Sequence, residues 1–181
     1  MRYFKKLMGE RVYLSPINPD DAERYVKWLN DKAVSGNPTI YPQMISLLSQ
    51  RKKLEQMSTE GQNFAMVLAE NDTLIGGISL TDIDACNRSA ALGLFIGETE
   101  HRGKGYGAEA IRLILDYSFR TLNLHNIMLE VHGDNPQGVA CYHKVGFKEF
   151  GRRHEAWFKD GRYVDLIYME ILDREFIEKE T

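Results

Sequence analysis

The chain has 181 residues, of which 43% are hydrophobic and 27% are charged, and its formal net charge is −3. This length suits one domain with a buried core, and the composition is that of an ordinary globular protein. The small negative charge excludes an overall attraction to nucleic acid or to an anionic membrane, so a polyanionic ligand would need a local basic patch.

Cysteine and histidine spacing gives no sign of a metal site. Cys86 and Cys141 lie far apart and fit no zinc pattern, so free thiols are expected, with one long-range disulfide as the alternative. The five histidines are scattered along the chain. No stretch approaches the ~20 apolar residues of a membrane span, and the first residues are not followed by an apolar signal core. We therefore expect a cytoplasmic protein that holds no metal.

The first part of the chain predicts a strand and two helices. Val12 and Leu14 alternate with polar neighbours, as in a strand. Asn18-Pro19-Asp20-Asp21 combines a capping Asn, a Pro at the first helical position and acids that complement the helix dipole, so a helix begins there. Ser35 to Pro42 is predicted as a loop, and a second helix covers Ser46 to Ser58.

Later predicted strands share apolar or alternating runs bounded by turn residues. They cover Phe64 to Ala69, Leu74 to Leu80, Ala90 to Gly97, Ile127 to Val131, Phe147 to Phe158 and Tyr163 to Leu172. Asp160-Gly161 is a strong hairpin turn between the last two. Two further helices are expected, one that begins near Gly105 and one from Asn135-Pro136 to Gly146. No repeat or linker interrupts the series, so residues 1–181 are predicted to form a single α+β domain.

A basic stretch with three alternating glycines joins an apolar strand to the third helix. The glycines are Gly103, Gly105 and Gly107, with Arg102 and Lys104 among them. Glycine permits positive φ and close backbone approach, and the first-turn N–H groups of a helix are free to bind an anion. We predict a phosphate-binding loop here, with a tight turn that holds no ligand as the alternative. The stretch fits neither G-x-x-x-x-G-K-[ST] nor G-x-G-x-x-G.

A second segment, Asn135 to Phe147, fits the pattern N-x(6)-Y-x-K-x-G-F. Together with Arg102-Gly103-Lys104-Gly105-Tyr106-Gly107, which fits [Q/R]-x-x-G-x-[G/A], it resembles the GNAT superfamily of acetyl-CoA-dependent N-acetyltransferases. The resemblance covers the chain from about Arg11 to Leu172 and is strongest to the branch with ribosomal-protein N-terminal acetyltransferases and spermidine N-acetyltransferase. It implies an α+β fold with a mixed, strongly twisted sheet of about seven strands, splayed central parallel strands and about four flanking helices.

The resemblance implies that the first stretch holds the pyrophosphate of acetyl-CoA, the expected co-substrate, through backbone N–H groups. The residues implied are Gly103, Lys104, Gly105, Gly107 and Ala108, with the amide of Arg102. Phe95, Ile96 and Gly97 would pair with the pantetheine arm, and one of their N–H groups would stabilise the oxyanion on the thioester carbonyl. In the family Asn135 also contacts the cofactor, and Lys144 is expected to reach the phosphates or solvent.

Tyr142 is the predicted general acid, because a phenol of pKa about 10 is protonated at neutral pH and could donate to the departing thiolate. The alternative is a Tyr that only packs against the helix. Glu98, which follows the splayed strand, and Asp82, which follows the hairpin, are candidates for the general base, although either could be a solvated loop acid. His143 is a weaker candidate because it should point elsewhere on the helix.

The acceptor is predicted to be a primary amine. An α-amine of pKa about 8 loses its proton more readily than a lysine-type amine of pKa about 10.4, so it has little need of a dedicated base. Ser35 to Ser46 contains no acid, whereas spermidine enzymes of this branch place acids in the corresponding region. A protein or peptide N-terminal amine is therefore favoured, with a polyamine or other small amine as the alternative.

Two alternatives of other classes stay open. One is a non-catalytic sensor module that binds acyl-CoA, and the other is a phosphate-loop nucleotide enzyme. No direct nucleic-acid or membrane partner is expected. Relatives in this branch are often dimers, so a homodimer is a candidate assembly.

Overall fold

The computed structural model describes residues 2–32, 34 and 43–180. The predicted loop at positions 35–42 lies outside the described residues, and so does most of the acid-free stretch. The described strands are β1 (Leu7–Met8), β2 (Val12–Pro16), β3 (Gln62–Leu68), β4 (Leu74–Asp84), β5 (Ser89–Ile96), β6 (Asn126–His132), β7 (Lys148–Lys159) and β8 (Arg162–Leu172). The α-helices are α1 (Ala22–Leu29), α2 (Leu47–Thr59), α3 (Tyr106–Asp116), α4 (Pro136–Val145) and α5 (Asp173–Glu180).

The hydrogen-bonded order of the strands is β1-β2-β3-β4-β5-β6-β8-β7. Strand β2 is antiparallel to β1 and β3, and β8 is antiparallel to β6 and β7. The neighbours β5 and β6 are parallel, with a register that joins Ser89–Ala91 to Asn126–Met128. Both strands continue beyond these pairs, β5 to Ile96 and β6 to His132. The predicted α+β class, with a mixed sheet and a central parallel pair, is confirmed.

Two short elements extend the predicted set, which had about seven strands and about four helices. Strand β1 has two residues, too few for an alternating pattern to reveal it. Helix α5 follows β8 directly, and its buried Phe176 lies against Phe119, with ring centroids 5.7 Å apart. Asp173 and Glu175 in the first turn of α5 complement its dipole, and they are the sequence signal that marks this helix.

The chain divides into two compact units. The first unit comprises Met1–Ser79 and Leu94–Ala110, and the second comprises Leu80–Gly93 and Ile111–Thr181. The single-domain organisation over residues 1–181 stays a prediction.

The first unit has an aromatic core. Tyr13 of β2, Trp28 of α1 and Leu54 of α2 are fully buried in one cluster. Burying a large apolar side chain contributes roughly 1.5–3 kcal/mol, so these residues hold both helices in place. Asn18 caps the 3-10 turn before α1, as the sequence predicts, and Ser46 caps α2.

The second unit is built on aliphatic side chains. Ile111, Ile114 and Leu115 of α3 are fully buried at helical spacing, and Ile127 and Leu129 of β6 are buried at alternate positions. Helix α3 continues as a π-helical turn at Tyr117–Thr121. The periodicity read from the sequence thus marks the buried face of both elements.

Candidate functional site

The glycine-rich stretch forms a tight loop between β5 and α3. A 3-10 turn spans Thr99–His101, and α3 begins at Tyr106. Gly103 and Gly105 have φ values of +71° and +87°. This left-handed backbone is favourable for glycine and strained for other residues. The chain therefore needs glycine at these two positions to turn from the strand into the helix.

The N–H groups of the loop fall into two sets. The Arg102 N–H donates to the Thr99 carbonyl at 3.1 Å, so this amide, expected among the phosphate donors, is already engaged within the 3-10 turn. The first turn of an α-helix offers its N–H groups no intrahelical acceptor, and Gly107 and Ala108 lie in that turn of α3. The partial positive charge of this helix end favours an anion. Gly103, Lys104, Gly105, Gly107 and Ala108 stay predicted as phosphate donors.

The side chain of Arg102 folds back onto the preceding strand. Its Nε and Nη2 atoms donate to the carbonyl oxygen of Ile96 at 3.1 and 2.9 Å. Both bonds join the loop to the end of β5. Arg102 therefore shapes the loop through its guanidinium.

Arg11, which directly precedes β2, also holds the loop. Its Nη1 donates to the Lys104 carbonyl at 3.0 Å, and its Nε donates to Glu109 Oε2 at 3.0 Å. The guanidinium lies over the Tyr106 ring, 5.2 Å from its centroid. Glu109 in turn accepts hydrogen bonds from the backbone N–H groups of Arg11 and Val12 at 2.7 and 3.1 Å. Sequence reasoning missed Arg11, since no local motif marks it.

Glu109 keeps its charge in this arrangement. Burial would raise the pKa of Glu109, but the backbone hydrogen bonds from Arg11 and Val12, together with the Arg11 side chain, outweigh burial and lower the pKa. Glu109 is therefore ionised at neutral pH. The ion pair with Arg11 links the first turn of α3 to the start of β2.

The end of β5 has one backbone N–H directed away from β4. The Gly97 N–H donates to the Ile75 carbonyl of β4 at 2.9 Å. Backbone groups of successive residues in an antiparallel strand point to opposite sides, so the N–H and carbonyl of Ile96 point away from β4. The hydrogen bonds from Arg102 to the Ile96 carbonyl agree with this direction.

Close packing determines the position of this strand end. A Cβ on Gly76 of β4 would lie 2.1 Å from the Phe95 carbonyl oxygen, so the Phe95 carbonyl is directed toward β4. A Cβ on Gly97 would lie 2.1 Å from two ring atoms of Trp28. The Phe95 ring packs against Tyr25 and Trp28, with centroids 5.7 and 5.9 Å apart. Two glycines therefore permit contacts that hold Ile96 in place.

Glu98, one candidate for the general base, is engaged by its neighbours. Its Oε1 accepts hydrogen bonds from Trp28 Nε1 at 3.0 Å and from Lys27 Nζ at 3.2 Å. The bond from Trp28 is the main cause of the lowered pKa of Glu98, and Lys27 adds to it. Both contacts engage Oε1, so this oxygen already accepts two hydrogen bonds. These contacts join Glu98 to α1 and make it a weaker candidate for the general base.

Asp82, the other candidate, lies in the second unit. Strand β4 extends to Asp84, beyond its predicted end at Leu80, so Asp82 belongs to the strand. It is exposed, has a φ of +51°, and accepts a hydrogen bond from Thr81 Oγ1 at 3.1 Å. Its role as a base stays a prediction.

Helix α4 carries Asn135 and Tyr142 in the predicted setting. Asn135 Oδ1 accepts a hydrogen bond from the Gly138 N–H at 3.0 Å and caps the helix, which ends at Gly146. Tyr142 is buried, and its ring centroid lies 5.9 Å from that of Phe147. Burial raises the pKa of Tyr142, so its phenol is protonated throughout the physiological range.

The sequence neighbours of Tyr142 on α4 are less buried than Tyr142 itself. His143 Nδ1 lies 3.1 Å from the Phe147 carbonyl oxygen at the end of α4, and Lys144 is exposed. Cys141 is half-buried and Cys86 is exposed, and both are free thiols. Within the described ranges, no three His, Cys, Asp or Glu residues are grouped to hold a metal ion. No helix in that part of the chain is long and apolar enough to cross a membrane.

Comparison with known proteins gives a consistent set of matches. The acetyltransferase (GNAT) domain family matches residues 11–148. A spermidine N(1)-acetyltransferase of Vibrio cholerae is 42% identical over 106 residues, which are 59% of this chain and 61% of that protein. A putative ribosomal N-acetyltransferase, YdaF of Bacillus subtilis, is 27% identical over 180 residues, covering 93% of this chain and 95% of that protein. The crystal structure of the Vibrio cholerae spermidine N-acetyltransferase with CoA and spermine aligns with a TM-score of 0.81 at 28% identity, over 93% of this chain and 99% of that one.

Proposed function

This chain belongs to the GNAT family of acetyltransferases and is an acetyl-CoA-dependent N-acetyltransferase, and we propose that its acceptor is a polyamine or a similar small primary amine. The observation that supports acetyl-CoA as the acyl donor is the loop before α3, in which Gly103 and Gly105 have left-handed backbone. The similarity to a spermidine N(1)-acetyltransferase, at 42% identity, supports the acceptor.

The residues of the loop fit the diphosphate of coenzyme A. A Cβ on Gly103 would meet nothing within 4 Å, so the backbone is open to a ligand at that point. The first-turn amides of Gly107 and Ala108, the helix dipole and the Lys104 cation all favour an anion. When bound, the co-substrate supplies an acetyl group activated as a thioester.

Ile96 is the residue that we assign to the thioester carbonyl. Its N–H points away from β4, whereas the Gly97 N–H is taken by Ile75. A donor that is fixed before the reaction stabilises the negative charge that develops on the carbonyl oxygen, without reorganisation at the moment of reaction. The contacts of Arg102 with the Ile96 carbonyl and of Trp28 with Gly97 supply that rigidity.

Tyr142 is the proposed general acid. Burial keeps its phenol protonated, so a proton is available for the sulfur as the carbon–sulfur bond breaks. Asn135 is proposed to contact the cofactor while it caps α4, and Lys144 is proposed to reach the phosphates. Each of these assignments is carried by the match of Asn135 to Phe147 to the family pattern.

A protein or peptide N-terminal amine is the second candidate acceptor. Two observations favour it: the stretch Ser35 to Ser46 has no acid, and YdaF, a relative over 93% of this chain, is named a putative ribosomal N-acetyltransferase. In addition, Glu98 is occupied by Trp28 and Lys27. Sequence reasoning alone ranks this acceptor first, and the higher identity to the spermidine enzyme supports the reverse order.

Release of free thiol from acetyl-CoA with a panel of amines tests the proposal. The panel holds spermidine, spermine, a peptide with a free N-terminus and an amino-sugar antibiotic, and mass spectrometry identifies each acetylated product. We expect kcat/KM for a polyamine to exceed that for the peptide by at least about tenfold, or roughly 1.4 kcal/mol. A preference for the peptide would support the second candidate. Tight CoA binding with no turnover of any amine would instead indicate a sensor module.

Arg11→Ala is expected to raise the KM for acetyl-CoA about tenfold with little change in kcat, since hydrogen bonds to charged groups contribute about 1.5–3 kcal/mol. The substitution removes the bonds to the Lys104 carbonyl and to Glu109, so the loop is no longer held in its binding conformation. Arg51→Ala is the matched control, because the ion pairs of Arg51 within the described part of the chain are with the exposed acids Asp20 and Glu55. An unchanged KM, or a fall in kcat alone, would contradict the role of Arg11.

The homodimer and the single-domain organisation also stay proposals. Sedimentation of the full chain measures the first, and the coincidence of unfolding transitions followed by two probes measures the second. One transition for both probes is the expected result.

A further inference from the structure

His132, the last residue of β6, is a buried histidine whose ring forms no hydrogen bond with the described residues. It is 6% exposed, and neither ring nitrogen has a hydrogen-bond partner among the described residues. A buried polar group that makes no hydrogen bond destabilises the folded state. An apolar side chain of similar size would avoid that cost, so the presence of a histidine calls for a functional explanation.

An acid that is paired with two cations lies beside His132. Asp134 Oδ1 lies 3.8 Å from His132 Nδ1, beyond hydrogen-bond distance. The other carboxylate oxygen of Asp134 is held by Lys159 Nζ at 3.3 Å and by Arg162 Nη2 at 3.6 Å. The Trp157 ring lies 5.7 Å from the imidazole, with the planes inclined by 37°. The carboxylate favours a proton on Nδ1, which leaves the lone pair on Nε2.

The imidazole is neutral in this environment. Burial is the main cause of the lowered pKa of His132, while Asp134 opposes the shift and Lys159 adds to it. Asp165 of β8, whose carbonyl accepts the Gly133 N–H, is engaged through its carboxylate by Arg152 at 3.5 Å and by His154 at 3.3 Å. A neutral imidazole can accept a proton, and a lowered pKa keeps it in that form at physiological pH.

The position of His132 in the fold is suited to a reacting group. It lies at the carboxyl end of β6, on the side opposite the buried Ile127 and Val131. The chain then turns directly into α4, which Asn135 caps and which carries Tyr142. Within this unit β6 is parallel to β5 where Ser89–Ala91 pair with Asn126–Met128, and His132 lies beyond these pairs.

We propose that His132 is the general base that takes a proton from the acceptor ammonium group, a role that rests on the proposed acetyl transfer to a primary amine. His132 Nε2 accepts one proton, and the neutral amine forms the carbon–nitrogen bond. The carbon–sulfur bond breaks, and Tyr142 gives its phenolic proton to the sulfur. The second proton lost by the nitrogen restores the phenol, and His132 passes its proton to water that enters after the product leaves. In this scheme Glu98 keeps its hydrogen bonds with Trp28 and Lys27, and Asp82 stays exposed.

His132→Gln tests the proposal through the pH dependence of kcat/KM for the amine that the wild type acetylates fastest. In the wild type the rate falls as pH drops through the pKa of His132, because a protonated imidazole accepts no proton. We expect His132→Gln to lower kcat by about 10²–10⁴-fold and to move the acidic limb up to the pKa of the free amine, because only amine that is already neutral can then react, with the KM for acetyl-CoA unchanged. Activity within about threefold of the wild type, or an unchanged acidic limb, would overturn the proposal.

Two further variants keep the result interpretable. His154→Gln alters an exposed histidine of the same unit and should retain wild-type rates. His132→Ala opens space at the site, and added imidazole should restore activity with the pH dependence of free imidazole; a folded variant that is not rescued opposes the proposal. An inactive wild type would contradict the acetyl transfer itself, whereas an active wild type with an unaffected His132→Gln would contradict the base alone.

Discussion

Tyr142→Phe is expected to lower kcat by about 10²–10⁴-fold and to leave the KM for acetyl-CoA within about twofold of the wild type. The substitution removes only the hydroxyl, and the remaining ring keeps its packing against Phe147. The proton for the departing sulfur must then come from water. Steady-state release of free thiol measures the effect, and thermal unfolding verifies that the variant is folded.

The pH dependence provides a second measure of the role of Tyr142. Burial raises the pKa of Tyr142 above its ordinary value of 10.0, so ionisation of the phenol should cause loss of activity only above about pH 10. Tyr163→Phe is the matched control, because Tyr163 is 63% exposed on β8. Full kcat in Tyr142→Phe would exclude Tyr142 as the acid and leave it as a packing residue.

Gly97→Ala is expected to destabilise the chain by about 1–3 kcal/mol or more and to abolish most activity. The new Cβ would lie 2.1 Å from two ring atoms of Trp28. Trp28 is 1% exposed, donates a hydrogen bond to Glu98 and packs against Phe95, so the indole has no space to move aside. The strand end must shift instead, and Ile96 shifts with it. Urea unfolding measures the stability, and thiol release measures the activity.

Gly151→Ala is the matched control for this substitution. Gly151 belongs to strand β7, whereas Gly97 directly follows β5, and a Cβ on Gly151 would have its nearest contact at 4.0 Å, with Tyr168. A surface change of this kind is expected to alter stability by less than about 0.5 kcal/mol. Similar losses in both variants would show that strand propensity, and not the contact with Trp28, explains the effect of Gly97→Ala.

Long elements with clear periodicity were predicted well. The buried positions Ile111, Ile114 and Leu115 repeat at helical spacing, and Ile127 and Leu129 alternate, so the sequence marks both faces directly. Strand β1 is not predicted from the sequence, because two residues are too few to show an alternating pattern. The sequence pattern predicts the end of β4 too early, because the strand continues through exposed residues after Leu80.

The order of strand, glycine-rich loop and helix, and the cap that starts α4, follow from local sequence. Left-handed φ at Gly103 and Gly105, and the capping bond of Asn135, depend on residues close by in the chain. Local patterns therefore encode them. The same patterns are the basis of the family resemblance, and that resemblance identifies acetyl-CoA as the expected acyl donor.

Tertiary packing selects the distant side chains that hold that loop and the groups that are buried. Arg11 contacts Glu109 across 98 residues of chain, and Trp28 contacts Glu98 across 70. The burial of His132 beside Trp157 has a similar origin, because it depends on the pairing of β6, β8 and β7. No local pattern encodes such contacts, since they arise when strands and helices far apart in sequence pack together.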